Sequence, residues 1–219
     1  MIRGQRAGQR TRWRTAGALG TLALVVTACS TNREVTRPEP LPVTEELLAT
    51  ALLTTDDLPG DFEAVAESTP VATQVVPEHE CDDALDDLEP KRQSAADFSN
   101  GTSRLSISVA WYPGGGGAVE RLYRDVGNRC SQVVVSDQGL SLRTGPLDFG
   151  VLSDDTLPLR FEVEPDAGAI EERDLIVIRN GDLVATIRLD GPRPSDKVLL
   201  DSVVRTSIGR LGRVALDTT

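Results

Sequence analysis

Three cysteines, one histidine and one dense run of aspartates are the side chains whose types could carry chemistry: Cys29, Cys81, Cys130, His79, and Asp82, Asp83, Asp86 and Asp87. Carboxylates at positions i and i+4 can share one helix face and hold Ca²⁺ weakly, but no D-x-[DN]-x-[DN]-G loop accompanies them, so the cluster reads as a solvated acidic face. Two further thiols and a single imidazole fall short of the four N or S ligands of a structural zinc site, and no Cys-x-x-Cys redox pair is present. The serines have only His79 to draw on as a base and lack a G-x-S-x-G elbow, which argues against acyl transfer. The glycine run at 114–117 lacks the G-K-[ST] ending of a phosphate loop and reads as a connector. Paired carboxylates for sugar hydrolysis are a matter of three-dimensional separation. The seven aromatics beyond residue 28 (Phe62, Phe98, Trp111, Tyr112, Tyr123, Phe149 and Phe161) are too few to spare for a sugar platform. Asn100-Gly101-Thr102 spells a glycosylation sequon and reads here as a turn. No catalytic residue, cofactor or metal is therefore expected.

The elements around these residues begin with an N-terminal signature. The first 28 residues hold Arg3, Arg6, Arg10, Arg12 and Arg14 and no acid, followed by a mostly apolar stretch over 15–28 that is too short to span a bilayer. The stretch ends Val26-Thr27-Ala28-Cys29, which resembles the lipobox of bacterial lipoproteins. That resemblance implies cleavage before Cys29 and a thioether-linked lipid on its sulfur. Without the five arginines of the first 28 residues, 18 basic side chains face 34 acidic ones, a formal charge of −16. Such a surface repels phosphates, so nucleic acid is excluded as a partner and anionic headgroups do not attract the domain. Attachment would rest on the lipid, where acyl chains contribute about 0.8 kcal/mol per buried CH₂. Residues 30–43 carry three prolines and no hydrophobic periodicity, a tether that reaches roughly 40 Å at about 3.1 Å per residue. The expected organisation is a signal peptide at 1–28, a lipidated cysteine and flexible tether at 29–43, and one α+β domain at 44–219. With Cys29 lipidated and the chain exported, Cys81 and Cys130 remain as a disulfide pair. In the disputed chain-entropy picture, a closed loop of about 50 residues stabilises by roughly 4 kcal/mol.

Hydrophobic patterning outlines the domain. Thr44 caps a helix over 44–53, with Glu45 and Glu46 in its first turn and Leu47, Leu48, Ala51 and Leu52 on one face. Residues 65–76 read as extended and 81–88 as a short acidic helix ended before Pro90. Leu105, Ile107, Val109 and Trp111 alternate with Arg104, Ser106, Ser108 and Ala110, the period of a half-buried strand. Ala118, Val119, Leu122, Tyr123 and Val126 then recur at helical spacing up to Cys130. Residues 133–135 and 140–142 flank a turn. Leu157, Leu159, Phe161 and Val163 alternate with Arg160, Glu162 and Glu164, a strand with one wet face. Asn180-Gly181 between two apolar runs predicts a hairpin with Arg179 facing Asp182 and Ile178 facing Leu183. It sets Ile176, Ile178, Leu183, Ala185 and Ile187 on one side. Leu175, Val177, Val184 and Thr186 fall on the other, with Arg173, Arg179 and Arg188 around them. Ser195 is expected to cap the last helix, striped by Leu199, Leu200, Val203, Val204, Ile208 and Leu211. The expected architecture is an antiparallel β-sheet with helices packed on one face, the other face open or forming a cleft.

The order of these pieces carries a resemblance. The lipobox at Cys29, the opening Leu52-Leu53-Thr54-Thr55-Asp56-Asp57-Leu58-Pro59, Cys81, the strand ending Val109-Ala110-Trp111-Tyr112-Pro113, the helix up to Cys130 and the late Val177-Ile178-Arg179-Asn180-Gly181 hairpin resemble actinobacterial lipoproteins with a PknH-like extracellular sensor domain. The resemblance covers roughly residues 45–213 and rests on order and spacing. It implies a mixed α/β fold with a cleft, although the family's two disulfides compare with one possible here. Among these 219 residues no kinase domain is expected. The expected function is a non-catalytic, membrane-anchored extracytoplasmic module that binds a small ligand or senses one. The alternative is an envelope docking module with no small ligand. Arg173, Val177, Arg179, Val184 and Arg188 form the candidate ligand face.

Overall fold

Residues 41–66, 89–129, 132–135, 140–149, 155–165, 171–192 and 195–218 are described in the structure, a computed structural model. Cys29, Cys81, Cys130, His79 and the aspartates at 82–87 lie outside them, as do the tether, the lipobox and the expected helix at 81–88. Thr44 caps α1 (Glu45–Ala49), its hydroxyl accepting from the Leu47 N–H at 3.1 Å. The helix stops well before residue 53. A 3-10 turn follows at Thr55–Asp57, closed by the Asp57 carboxylate, which takes hydrogen bonds from the Thr54 N–H at 2.7 Å and hydroxyl at 2.9 Å.

Among the described residues eight strands then build one antiparallel sheet: β1 (Glu63–Ala64), β2 (Arg92–Ser99), β3 (Arg104–Trp111), β4 (Gln132–Val135), β5 (Leu140–Pro146), β6 (Thr156–Pro165), β7 (Glu171–Asn180) and β8 (Leu183–Pro192). The spatial order is β1-β2-β3-β8-β7-β6-β5-β4, so the last strand sits centrally and joins the block β1–β3 to the block β4–β7. Two longer helices among the described residues pack with it in an α+β fold: α2 (Gly116–Arg129) between β3 and β4, and α3 (Lys197–Asp217) after β8. Strand β2 was not expected. Its Ser94, Ala95 and Ala96 are weak strand formers, and the segment is extended because each of its residues pairs with β3.

Alternation then sorts the sheet into two faces. One face presents Leu105, Ile107 and Val109 from β3, Ile176 and Ile178 from β7, and Leu183, Ala185, Ile187 and Leu189 from β8. These join Leu48, Ala51 and Leu52 near α1 and Leu199, Leu200, Val203, Val204, Leu211 and Val214 of α3 in the main core. Each such Leu, Ile or Val contributes roughly 1.5–3 kcal/mol on burial, and the helical spacing of the α3 residues is what turns their stripe toward the sheet. Arg210 of α3 clamps the N-terminal segment, donating to both Asp57 oxygens at 2.7 and 2.6 Å and to the Leu52 carbonyl.

The opposite face is not wholly open. Helix α2 lies against β5 to β8 and buries Val119 and Tyr123 outside the main core. Arg179, on this face of β7, donates to Glu120 of α2 at 2.7 Å and also pairs with Asp155. The glycine run serves this packing: Gly114, at φ +70°, donates its N–H to the Asp182 carboxylate at 2.9 Å, and Gly116 lies directly against the β7–β8 turn. Covered on both faces, β3 buries Ser106, Ser108 and Ala110 as well as its apolar set, so it is more than half-buried.

Three local expectations change. The β7–β8 register pairs Asn180 with Leu183, Arg179 with Val184 and Ile178 with Ala185, so the turn is Gly181-Asp182 and the Arg179–Asp182 pair does not form. The slip is two residues in partner, which preserves parity and leaves every side chain on its expected face. The N-cap of α3 is Asp196, whose carboxylate accepts from Val198 at 3.0 Å and Leu199 at 2.9 Å. Ser195 is engaged elsewhere, and the wet face of β6 carries an inward-turned arginine. Arg160 donates to Asp174 through Nε at 2.6 Å and Nη2 at 2.8 Å, while the Ser195 hydroxyl bridges the same two side chains. The Ser195 N–H donates to Glu172 at 2.8 Å. Asp174 and Glu172 are buried. Hydrogen bonding to Asp174 raises the Arg160 pKa, burial opposes that, and the charges of Asp174, Glu172 and Glu162 add to the rise.

Candidate functional site

The face that carries α2 changes character along the strands. Beneath the helix it is apolar: Ala110, Leu157, Leu159, Leu175, Val177 and Val184 are all buried. Further along β2, β3, β7 and β8 it becomes charged, because these strands contribute Asp97, Arg104, Arg173, Arg188 and Asp190, with Ser106 among them. Arg173 lies directly across from Asp190 in the register and donates to it through Nε at 2.7 Å; Arg188, two residues before Asp190 on the same face, meets its other oxygen at 2.9 Å. Arg104 donates through Nη2 to Asp97 at 2.6 Å.

Three guanidinium groups thus crowd the end of the sheet. Burial lowers the Arg188 pKa; Asp190 opposes the fall, while the positive charges of Arg173 and Arg104 add to it. Next to this cluster is an open depression of about 530 Å³, lined by Ser99, Gly101, Thr102, Ser103, Arg104, Glu171, Asp190, Gly191 and Pro192. One wall is the β2–β3 turn, which is tightly tied: Asn100 Oδ1 accepts from the Thr102 and Ser103 amides at 3.0 and 2.7 Å, and the Ser99 hydroxyl accepts from Gly101 at 3.1 Å. The opposite wall approaches so closely that a Cβ on Gly191 would lie 2.7 Å from the Ser103 hydroxyl.

Of the residues singled out in the sequence, Arg173 and Arg188 stand together beside this depression. Val177, Val184 and Arg179 lie toward the α2 end, with Arg179 six residues along β7 from Arg173, roughly 20 Å. Arg104, Asp97 and Asp190 were not singled out as site residues, and Asn100-Gly101-Thr102 was read as a turn but not as part of a site. The alternation of β3 placed Arg104 on this face, but its neighbours follow from pairing between strands distant in sequence. A smaller recess of about 210 Å³ lies on the α3 side of the sheet, lined by Arg143, Thr144, Gly145, Arg160 and Glu162. Among the described residues no group of three or more His, Cys, Asp and Glu side chains is arranged to hold a metal, and no helix is long and apolar enough to cross a membrane.

With this geometry in view, the chain aligns with the crystal structure of the extracellular domain of PknH from Mycobacterium tuberculosis over 80% of its own length and 97% of that chain, with a TM-score of 0.57 at 13% identity. The fold is PknH-like. A Bacteroides thetaiotaomicron VPI-5482 crystal structure aligns over 67% of this chain and 41% of its own at a TM-score of 0.34 and 11% identity, a likeness too slight to bear on the fold. No protein-family model matches the chain, and no curated protein matches it in sequence. The PknH-like character therefore lives in the three-dimensional arrangement of the strands and helices.

Proposed function

We propose that this chain is a non-catalytic extracytoplasmic module, anchored by a lipid on Cys29, that binds a small solute in the depression at the charged end of its sheet. The observation that carries the reading is the contrast within one face. Its α2 end is sealed by packing, while its other end holds buried, paired charges beside an open depression with rigid walls. A concave surface with a few fixed polar and charged groups suits recognition of a small solute. The fold shared with an extracellular domain and the N-terminal sequence up to Cys29 support a place outside the cytoplasm. In the same reading Cys81 and Cys130 form a disulfide.

The test is native mass spectrometry of the full chain purified from its own membranes in mild detergent. An added mass of metabolite size on the polypeptide is the expected result. A bare polypeptide accompanied by another protein would replace this reading with that of an envelope docking module. Replacing Cys29 by Ala should transfer the protein from the membrane to the soluble fraction, and peptide mapping without reductant should recover Cys81 linked to Cys130.

A further inference from the structure

We infer that the guanidinium of Arg104 is the seat for a single oxyanion, a carboxylate or a phosphate group, on the solute that enters the depression; the inference rests on the ligand-binding reading above. Of the three arginines at this end, only Arg104 lines the depression. Arg173 and Arg188 are both drawn onto Asp190, and the Arg188 side chain is only 6% exposed. Arg104 is built differently. Its side chain is 43% exposed, while the carboxylate that grips it, Asp97, is 1% exposed. Among the described residues Asp97 is its one hydrogen-bond partner, and only Nη2 is used. A guanidinium has five N–H donors in a planar fork, so a buried carboxylate at one corner fixes its orientation and leaves the remaining donors to a second oxyanion.

Three features define what this seat accepts. Arg188 on the adjacent strand β8 and Arg173 one strand beyond add positive charge at this end of the sheet and favour an anion there. The rim acids Glu171 and Asp190 oppose a second negative charge, which limits the preferred solute to one anionic group. The hydroxyl-bearing turn at 99–103 is already held by its own hydrogen bonds, so little conformational entropy is lost when a solute settles against it. The Coulomb attraction between one oxyanion and one partly exposed guanidinium is modest and screened by salt. The expected affinity for a bare ion is therefore low and dependent on ionic strength.

The probe is inorganic phosphate at low ionic strength, added to the ¹⁵N-labelled full chain in neutral detergent, with the Gly101 and Gly191 amides and the Arg104 Nε–H followed by NMR. The expected result is a saturable shift of all three. Arg104→Gln should raise the half-saturation concentration about ten-fold or more, Arg104→Lys should recover part of it, and Arg205→Gln on the far surface of α3 should leave it unchanged. The amide spectrum of each variant reports folding directly. A shift at Gly101 and Gly191 that Arg104→Gln leaves untouched, or no saturable shift, overturns the inference. In nanodiscs, an apparent phosphate affinity weakened by phosphatidylglycerol relative to phosphatidylcholine identifies a lipid headgroup as the natural source, and equal affinities identify a free solute. Failure of the inference is separable from failure of the reading beneath it. A bound mass in native spectrometry that survives Arg104→Gln overturns the oxyanion seat and leaves ligand binding standing; a chain with no bound mass overturns both.

Discussion

Gly116 lies so close to Gly181 that a Cβ built on it would overlap the Gly181 carbonyl oxygen and stand 3.1 Å from the Asp182 Cα. The first turn of α2 therefore rests backbone to backbone on the β7–β8 turn, and the adjacent Asp182 carboxylate takes the Gly114 N–H at 2.9 Å. Gly116→Ala should lower stability by about 2 kcal/mol, the order of an overpacked contact that only backbone movement can relieve. Gly117 has open space around its Cα, so Gly117→Ala should be neutral or stabilising by about 0.5 kcal/mol through helix propensity. Thermal melts of the two variants check the contrast, and equal effects would mean that α2 does not dock on this turn.

Asp57 predicts an acid limb. Burial on its own would raise the Asp57 pKa, but the Thr54 N–H and hydroxyl and the Arg210 charge outweigh it and hold the carboxyl below its ordinary value of 3.8. Glu120 is likewise held below 4.5: burial raises its pKa, and the hydrogen bonds and charges of Arg179 and Arg124 outweigh the rise. A carboxylate whose folded pKa is depressed stabilises the fold fully above its unfolded value and loses that contribution as the pH falls through the folded one. Stability should therefore be level down to about pH 5 and fall below it. Asp57→Asn should cost about 1–2 kcal/mol at neutral pH and flatten the fall, as measured by urea unfolding at several pH values.

The Arg160 network predicts an asymmetry. Asp174 is fully buried and holds both Arg160 and Ser195, so Asp174→Ala leaves a partly buried guanidinium without its main partner. Such truncations cost about 3–5 kcal/mol. Ser195→Ala removes one bridging hydroxyl and should cost about 1 kcal/mol. Denaturant midpoints with unchanged slopes would support both values; a smaller loss for Asp174→Ala than for Ser195→Ala would contradict the assignment of Asp174 as the hub.

Ser207 sits on the core side of α3 at 1% exposure, and its hydroxyl has no hydrogen-bond partner among the described residues. An unpaired buried hydroxyl opposes folding, so Ser207→Ala should stabilise by up to about 1 kcal/mol. A loss of stability on calorimetry would show that the hydroxyl is satisfied.

How the fold emerges from the chain differs by element. Leu105 to Trp111 and Leu157 to Val163 declare themselves by period-two alternation of apolar and polar side chains, and the two arms around Gly181 by the apolar runs on either side of a turn. The stripe from Leu199 to Leu211 does the same at helical period. Face assignment is equally local, which is why Ile176, Ile178, Leu183, Ala185 and Ile187 fall on one side even though their partners shift. Other outcomes need contacts between distant residues. The β7–β8 turn moves to Gly181-Asp182 where Asp182 is gripped by the Gly114 amide and its carbonyl accepts from Tyr112 at 2.8 Å, a tie from 68 residues away in sequence. Strand β2 is extended through its pairing with β3, and α2 takes the face opposite α3.

The amino-acid sequence by itself determined the periodic elements, the sides they present, the α+β class and the charge of the surface, since these depend on side-chain type and local spacing. Only the tertiary structure decided which charges meet. Arg104, Asp97, Arg173, Arg188 and Asp190 come from four strands, and their meeting at one end of the sheet follows from the strand order β2-β3-β8-β7, in which residues about ninety positions apart become direct neighbours. Register, a property of pairs rather than of segments, made that depression.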